Sequence, residues 1–309
     1  VRNAFAAAIT ALAAADERVV LLSGDIGNRL FDTFRARFPD RFYNCGVAEA
    51  NMTGMAAGLA LCGLRPFTYT ITPFATTRVI EQIRVDICYH DVPAVIVGTG
   101  SGLSYASLGP THHSCEDVGL LRCFPNLTIL CPADAVEVGP ALTAALACPG
   151  PVYIRLGKKG EPVIHDSPPP FAVGKGIVVR EGTDVCLLGM GTTTAVALEA
   201  ARELAARGLS ARVVSMHTVK PLDEAFLADA FGRFRAVAVV EEHSVIGGLG
   251  SAVAEWRARH DAPLAPLVAC GTPDAFISAA GSQEWMRGQC GLTGPAVAAK
   301  ILARIGNAP

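Results

Sequence analysis

Five short runs of β-branched and apolar residues recur along the first half of the chain: Val19-Val20-Leu21-Leu22, Pro66-Phe67-Thr68-Tyr69, Ala94-Val95-Ile96-Val97, Leu127-Thr128-Ile129-Leu130 and Val152-Tyr153-Ile154-Arg155. Helical stretches separate them. Strands that are apolar on both faces must be covered on both faces, so this alternation predicts an α/β domain with a mainly parallel sheet. Ligands of such sheets sit at the carboxyl ends of the strands.

The segment Asp166-Ser167-Pro168-Pro169-Pro170 breaks every periodicity, because three consecutive prolines enter neither a helix nor a central strand. It predicts a linker over 166–172 between a domain of residues 1–165 and a second of residues 173–309. The same alternation resumes there, with Val185-Cys186-Leu187-Leu188, a helix from about Thr193 to Arg207 ended by Gly208, then Ala211-Arg212-Val213-Val214-Ser215 and Ala236-Val237-Ala238-Val239-Val240. The expected fold is two consecutive α/β domains with mainly parallel sheets. In the second, Gly247-Gly248-Leu249-Gly250 opens a helix. Such a cluster either cradles a phosphate or lets strand and helix pack closely, and on its own it is read as packing.

With 51% hydrophobic and 17% charged residues and a net charge of −2, the chain has no field that would hold nucleic acid or an anionic membrane. Any phosphate must be held by a few placed residues. The 10 cysteines contain no CxxC and are expected as reduced core thiols of a cytoplasmic protein, not as a disulfide or zinc framework. The run Ala4 to Ala15 is broken by Thr10 and followed by Asp16-Glu17-Arg18, which predicts an ordinary helix and no signal or membrane span.

One carboxylate stands out. Glu49 opens the stretch Glu49-Ala50-Asn51-Met52-Thr53-Gly54-Met55-Ala56-Ala57-Gly58-Leu59-Ala60, a helix so rich in Gly and Ala that a backbone or a flat ligand can lie close to it. Taken alone, it is equally an acid complementing a helix macrodipole. His112, in the turn Gly109-Pro110-Thr111-His112, and Arg155, ending its β run, are likewise ambiguous alone.

Company decides. In register come Phe74-Ala75-Thr76-Thr77-Arg78-Val79-Ile80-Glu81-Gln82-Ile83-Arg84, Gly109-Pro110-Thr111-His112-His113, Val152-Tyr153-Ile154-Arg155-Leu156-Gly157, Ser215-Met216-His217-Thr218-Val219-Lys220-Pro221 and Val240-Glu241-Glu242-His243-Ser244-Val245-Ile246-Gly247-Gly248. Together, from about Arg2 to Ile305, they resemble the C-terminal half of transketolase in the form split into two polypeptides.

The resemblance implies a pyrimidine-binding domain, a transketolase C-terminal domain and thiamine diphosphate as cofactor. Glu49 matches the glutamate that hydrogen-bonds the aminopyrimidine ring nitrogen and drives the imino tautomer. Phe74 matches an aromatic packed on the pyrimidine face, and Ile71 stands where a second aromatic is usual. His112 matches a residue that contacts the substrate oxygen. Arg155, and less securely Arg2, match arginines that hold a sugar phosphate. Asp25, in Asp25-Ile26-Gly27-Asn28, aligns with a strand end on the cofactor side. His217, Glu241, Glu242 and His243 match family text without a catalytic role and are read as strand-end and interface groups.

The family's Gly-Asp-Gly motif, whose region binds diphosphate and Mg2+ (or Ca2+), is absent from the sequence. The implied partner is therefore a separate N-terminal, diphosphate-binding subunit in an α2β2 heterotetramer, without which this chain is silent. Two departures concern substrate. Ser107 and Leu108 replace an acidic pair whose Asp reads the hydroxyl beside the ketose carbonyl, and Gly100 replaces a phosphate-binding His. Leaving that hydroxyl unpaired would cost roughly 1 to 3 kcal/mol, which implies an atypical donor or acceptor. The implied activity is transfer of a two-carbon ketol unit from a ketose or ketose phosphate to an aldehyde. Acyl transfer to a lipoyl or carrier-protein arm and a non-catalytic scaffold are the alternatives.

Overall fold

The computed structural model describes residues 1–27, 29–260 and 264–306. Asn28 lies outside them, as do residues 261–263 and 307–309 of the second predicted domain.

The chain begins with α1 (Arg2–Ala15), β1 (Val19–Ser23), α2 (Asp32–Arg37), β2 (Phe42–Asn44) and α3 (Glu49–Leu61). Then come β3 (Arg65–Ile71), α4 (Thr72–Ala75), α5 (Ile80–Gln82) running on as a π-type turn to Tyr89, and β4 (Val95–Thr99). The first domain continues through α6 (Asp117–Arg122), β5 (Thr128–Leu130), α7 (Ala135–Ala147) and β6 (Val152–Leu156). Residues 157–176 carry neither helix nor strand. The second domain holds β7 (Ile177–Arg180), β8 (Val185–Gly189), α8 (Thr194–Ala205), β9 (Ala211–Ser215), β10 (Thr218–Lys220), α9 (Glu224–Arg233) and β11 (Ala236–Ser244). It ends with α10 (Leu249–Ala258), β12 (Leu267–Thr272), α11 (Gln283–Gln289) and α12 (Gly294–Ile305).

Seven strands in the order β10-β5-β6-β4-β3-β1-β2 form one sheet, and five in the order β12-β11-β8-β9-β7 form the other. Each is parallel except at one edge, where β10 and β7 run antiparallel to their neighbours. Strands β1, β4, β6 and β8 are buried along their whole length, as two covered faces require. On one face of the first sheet, Phe5 and Ile9 of α1 and Val138 and Leu142 of α7 pack with Phe67, Tyr69, Val97 and Ile154. The other face merges with the second domain: Ile83, Ile129 and Tyr153 share one apolar cluster with Met190, Met216, Phe231 and Trp256.

Four strands lie outside the predicted runs: β2, β7, β10 and β12. Strand β10 belongs to the second half of the chain yet completes the first sheet. The Cys131 amide donates to the His217 carbonyl at 2.6 Å, and Lys220 Nζ donates to the carbonyls of Arg122, at 3.1 Å, and of Phe124. The expectation of core thiols also needs correction, because only Cys88, Cys131, Cys186 and Cys270 are buried, while Cys62 and Cys123 are exposed.

At the Gly247–Gly250 turn, the protein's own carboxylate fills the helix mouth. Glu241 accepts from the amides of Leu249 at 2.8 Å and Gly250 at 2.9 Å. A Cβ on Gly248 would stand 2.1 Å from Glu241 Oε2, so the turn is built for close packing. Burial pushes the Glu241 carboxyl up to about 7, against the pull of those two amides.

Candidate active site at the carboxyl edge of the first sheet

Parallel pairing sets Ser23 opposite Asn44 and Tyr69, Ile71 opposite Thr99, and Thr99 opposite Leu156. Four strands therefore end in line, and the segments that leave them carry Asp25, Phe74, Gly100 and Lys158. Glu49 arrives at the same edge after β2.

Its N-cap, Ala48, has no side chain to satisfy the first amides of α3, and Glu49 itself turns inward, 3% exposed. Gly24 makes the room. A Cβ there would lie 3.0 Å from Thr70 and 3.7 Å from Glu49 Cγ. Arg78 donates from Nη1 to Glu49 Oε2 at 3.0 Å, and its guanidinium carbon stands 4.0 Å from the centre of the Phe74 ring. The His112 ring meets Phe74 edge-on, with centroids 5.4 Å apart. Tyr105 follows, 6.1 Å from His112, with Lys158 Nζ 4.1 Å over its ring. Glu49, Arg78, Phe74, His112, Tyr105 and Lys158 thus form a continuous row.

The cradle at Glu49 accepts a flat group with a donor edge. The Arg78 guanidinium satisfies both requirements at once, lying on the Phe74 face and hydrogen-bonding the buried carboxylate. A protonated or amino-bearing pyrimidine ring presents the same face and edge, so these residues fit an aminopyrimidine. No group of three or more His, Cys, Asp or Glu able to hold a metal occurs among the described residues.

The other sequence-predicted residues divide. His112 is half-buried, with Nδ1 bonded to Thr111 Oγ1 at 2.9 Å. Ile71 closes β3, half-buried, and hands the chain to α4. Asp25 is exposed, with φ +55°, and accepts from Asn44 Nδ2 at 2.9 Å, while Asn44 Oδ1 accepts from the Gly46 amide at 3.0 Å. Its carboxylate thereby braces the turn that leads into α3. Arg2 opens α1 with its Nε buried and unpartnered, and its charge acts on both Tyr105 and Lys158.

Arg155 departs from its expected role. It is 6% exposed, and its guanidinium donates to Asp117 Oδ2 at 2.8 Å, to the Ser114 carbonyl at 3.0 Å and to the Glu242 carbonyl at 3.0 Å. Tyr153 donates to the same Asp117 oxygen at 2.6 Å. Burial alone would raise the Asp117 carboxyl, but Arg155, His243 and the Tyr153 hydroxyl together outweigh it and hold the group below its usual range. A guanidinium so enclosed joins the domains and is not presented to a sugar phosphate. Lys158 is the cation that β6 delivers to the site, its charge disfavoured first by burial, then by Lys159 and Arg2. Sequence reasoning passed over it and over Arg78 and Tyr105. The pair Lys158-Lys159, directly after a strand end, was the available signal.

Gly100 and Leu108 face different surroundings. Gly100 has φ +73°, and a Cβ there would stand 2.0 Å from Tyr105 Cε2. The Tyr105 ring therefore fills the space a side chain at 100 would need. Leu108, 51% exposed, ends the turn Ala106–Leu108, and its side chain offers no hydrogen bond.

Comparison with known proteins identifies the two domains. Residues 1–161 match the family model "Transketolase, pyrimidine binding domain" and residues 174–294 the model "Transketolase, C-terminal domain". A 6-deoxy-6-sulfo-D-fructose transketolase subunit of Clostridium sp. (strain MSTE9) is 39% identical over 90% of this chain and 86% of its own length. An apulose-4-phosphate transketolase subunit of Actinobacillus succinogenes is 39% identical over 84% of this chain and 83% of its own. Among solved structures, a split gene transketolase in an inactive beta4 tetramer superposes with a TM-score of 0.91 at 38% identity, covering 98% of this chain and 97% of that one. The transketolase of Leishmania mexicana, at 23% identity and a TM-score of 0.82, shares the fold over all of this chain and 46% of its own. With both domain models matched in order and relatives aligned over most of their length, the chain belongs to the transketolase family, in the form found as one subunit of a split enzyme.

Proposed function

We propose that this chain supplies the pyrimidine side of a thiamine-diphosphate-dependent active site that moves a two-carbon ketol unit from an anionic ketose to an aldehyde. The buried Glu49 carboxylate in a cradle floored by Phe74 is the observation that carries the reading. Thiamine diphosphate, when bound, supplies a nucleophilic carbon and an electron sink for cleaving the bond beside the ketose carbonyl.

Glu49 holds a proton between its Oε2 and the pyrimidine ring nitrogen, a task that needs a carboxylate shielded from water. Phe74 supports the ring face, and Ile71 closes the wall beside it. His112 exchanges a proton with the substrate oxygen through Nε2, its other nitrogen being bound to Thr111. Lys158 and Arg2 hold the anionic end of the sugar. The two named relatives act on ketoses with a sulfonate or phosphate, which supports an anionic tail here. Leu108 cannot read the hydroxyl next to the carbonyl, so the substrate is selected at its tail more than at that hydroxyl.

The cofactor's diphosphate and Mg2+ (or Ca2+) are held by a partner subunit, in an α2β2 assembly, within the cytoplasm. The test mixes this chain with a diphosphate-binding subunit, thiamine diphosphate and Mg2+, and assays ketol transfer from ketoses bearing phosphate, sulfonate or no charge. Turnover of the charged ketoses, lost by about 10²–10⁴-fold in Glu49→Gln, is the expected result. No ketol transfer from any ketose overturns it.

A further inference from the structure

The loop after β4 is held by both domains. Its base is local: Ser101 bonds to the Leu156 carbonyl through its amide at 3.0 Å and through Oγ at 2.9 Å, and Gly102 and Ser114 exchange amide-to-carbonyl bonds at 2.9 Å each. From Leu103 onward the second domain adds partners. The Leu103 amide donates to Glu242 Oε1 at 2.5 Å. Gln283 Nε2 donates to both oxygens of Glu242, at 2.9 and 3.1 Å, and to Ser104 Oγ at 3.3 Å. Arg287 Nε donates to Glu242 Oε2. Met286 packs with Leu103 and Ala106, and the Gly281 amide donates to the Ala106 carbonyl at 3.4 Å. Glu242 comes so close that a Cβ on Gly102, whose φ is +63°, would stand 2.6 Å from its Oε1.

We propose that Glu242, fixed by Gln283 and Arg287 of α11, is a positioning residue that sets Tyr105 over Gly100 and thereby makes the second domain part of substrate recognition. The inference rests on the proposed site, in which Tyr105 is the wall between His112 and Lys158. Tyr105 lies two residues beyond the clamped Leu103, and its ring occupies the space left by Gly100. A loop freed at Leu103 and Ser104 lets that ring swing, which misplaces the wall without touching Glu49 or Phe74. The split gives Glu242 a distinct signature: it acts on the sugar and not on the cofactor.

The test uses Gln283→Ala and, more strongly, Glu242→Gln in the reconstituted complex. Both are expected to raise KM for the ketose roughly tenfold with a much smaller change in kcat, leaving the thiamine diphosphate concentration for half-activity unchanged. Hydrogen exchange on the same proteins is expected to lose protection at 101–108 while β8 and α12 keep theirs. Unchanged KM in an active complex, or a parallel loss of protection across the second domain, overturns the inference. Should the wild-type complex turn over no ketose, the functional reading falls, and exchange still decides the clamp: loss confined to 101–108 supports it, unchanged protection refutes it.

Discussion

Arg78 bonds Glu49 Oε2 at 3.0 Å while its guanidinium rests 4.0 Å from the centre of the Phe74 ring, the place that the proposed function gives to the cofactor ring. A buried carboxylate without a partner would be costly, so the pair keeps the cradle formed in the isolated chain. The ring has to displace this contact. Because Arg78 is 44% exposed, solvent screens the pair and its worth is below about 1 kcal/mol. Arg78→Met in the reconstituted complex is therefore expected to lower the half-saturating thiamine diphosphate concentration by roughly two- to fivefold. Titration of activity against cofactor checks it, and an increase would show that Arg78 aids the bound state.

Gly100 and Tyr105 make a second pair, this time steric. Alanine at 100 would add both a left-handed penalty of about 1–2 kcal/mol and an overlap with Tyr105 that costs about 1–3 kcal/mol. Gly100→Ala should thus lower thermal stability and raise the ketose KM. Adding Tyr105→Ala should recover the overlap portion and not the backbone portion. A double-mutant cycle on melting free energies reads the difference, and strict additivity would contradict the contact.

Much of this was legible beforehand, for identifiable reasons. Strands β1, β4 and β6 announce themselves because they are apolar on both faces, whereas β2, half-exposed, and β10, three residues lent to the other sheet, carry no such pattern. Glu49 and Phe74 stand out only through the company of the other segments, since a helix-start acid or a strand-end aromatic alone reads equally as ordinary structure. Arg155 misled, since an arginine near a strand end reads alike whether it faces solvent or an acid. Its partner Asp117 lies 38 positions away, and only the fold brings them together. Lys158 was overshadowed by it. Tyr105 gave no signal because its meaning depends on the glycine beneath it.

That Arg155–Asp117 pair predicts a stability effect. Asp117 is fully buried and accepts from both Arg155 and Tyr153. Asp117→Asn leaves the guanidinium buried without its counter-charge, a change that typically costs about 3–5 kcal/mol. Urea unfolding at neutral pH is expected to show a midpoint lowered accordingly. A shift within experimental error would mean that the Ser114 and Glu242 carbonyls suffice for Arg155.

A last prediction concerns the segment between the sheets. His165 Nε2 lies 2.7 Å from Glu137 Oε1, and the amides of Ile164 and His165 donate to Asp134 Oδ2 at 2.8 and 3.0 Å. The Glu137 hydrogen bond raises the His165 pKa, against the opposing effect of burial. A histidine whose folded pKa is raised stabilises fully below its unfolded value of about 6.5, and that contribution disappears as pH rises through the folded value. Protection factors of the Ile164 and His165 amides, corrected for intrinsic exchange, should therefore fall as pH is raised from 6 to 9. In Glu137→Gln the fall should vanish, because the neutral amide has no charge to share with the imidazolium. A protection profile flat with pH in the wild type would assign the tether to Asp134 alone.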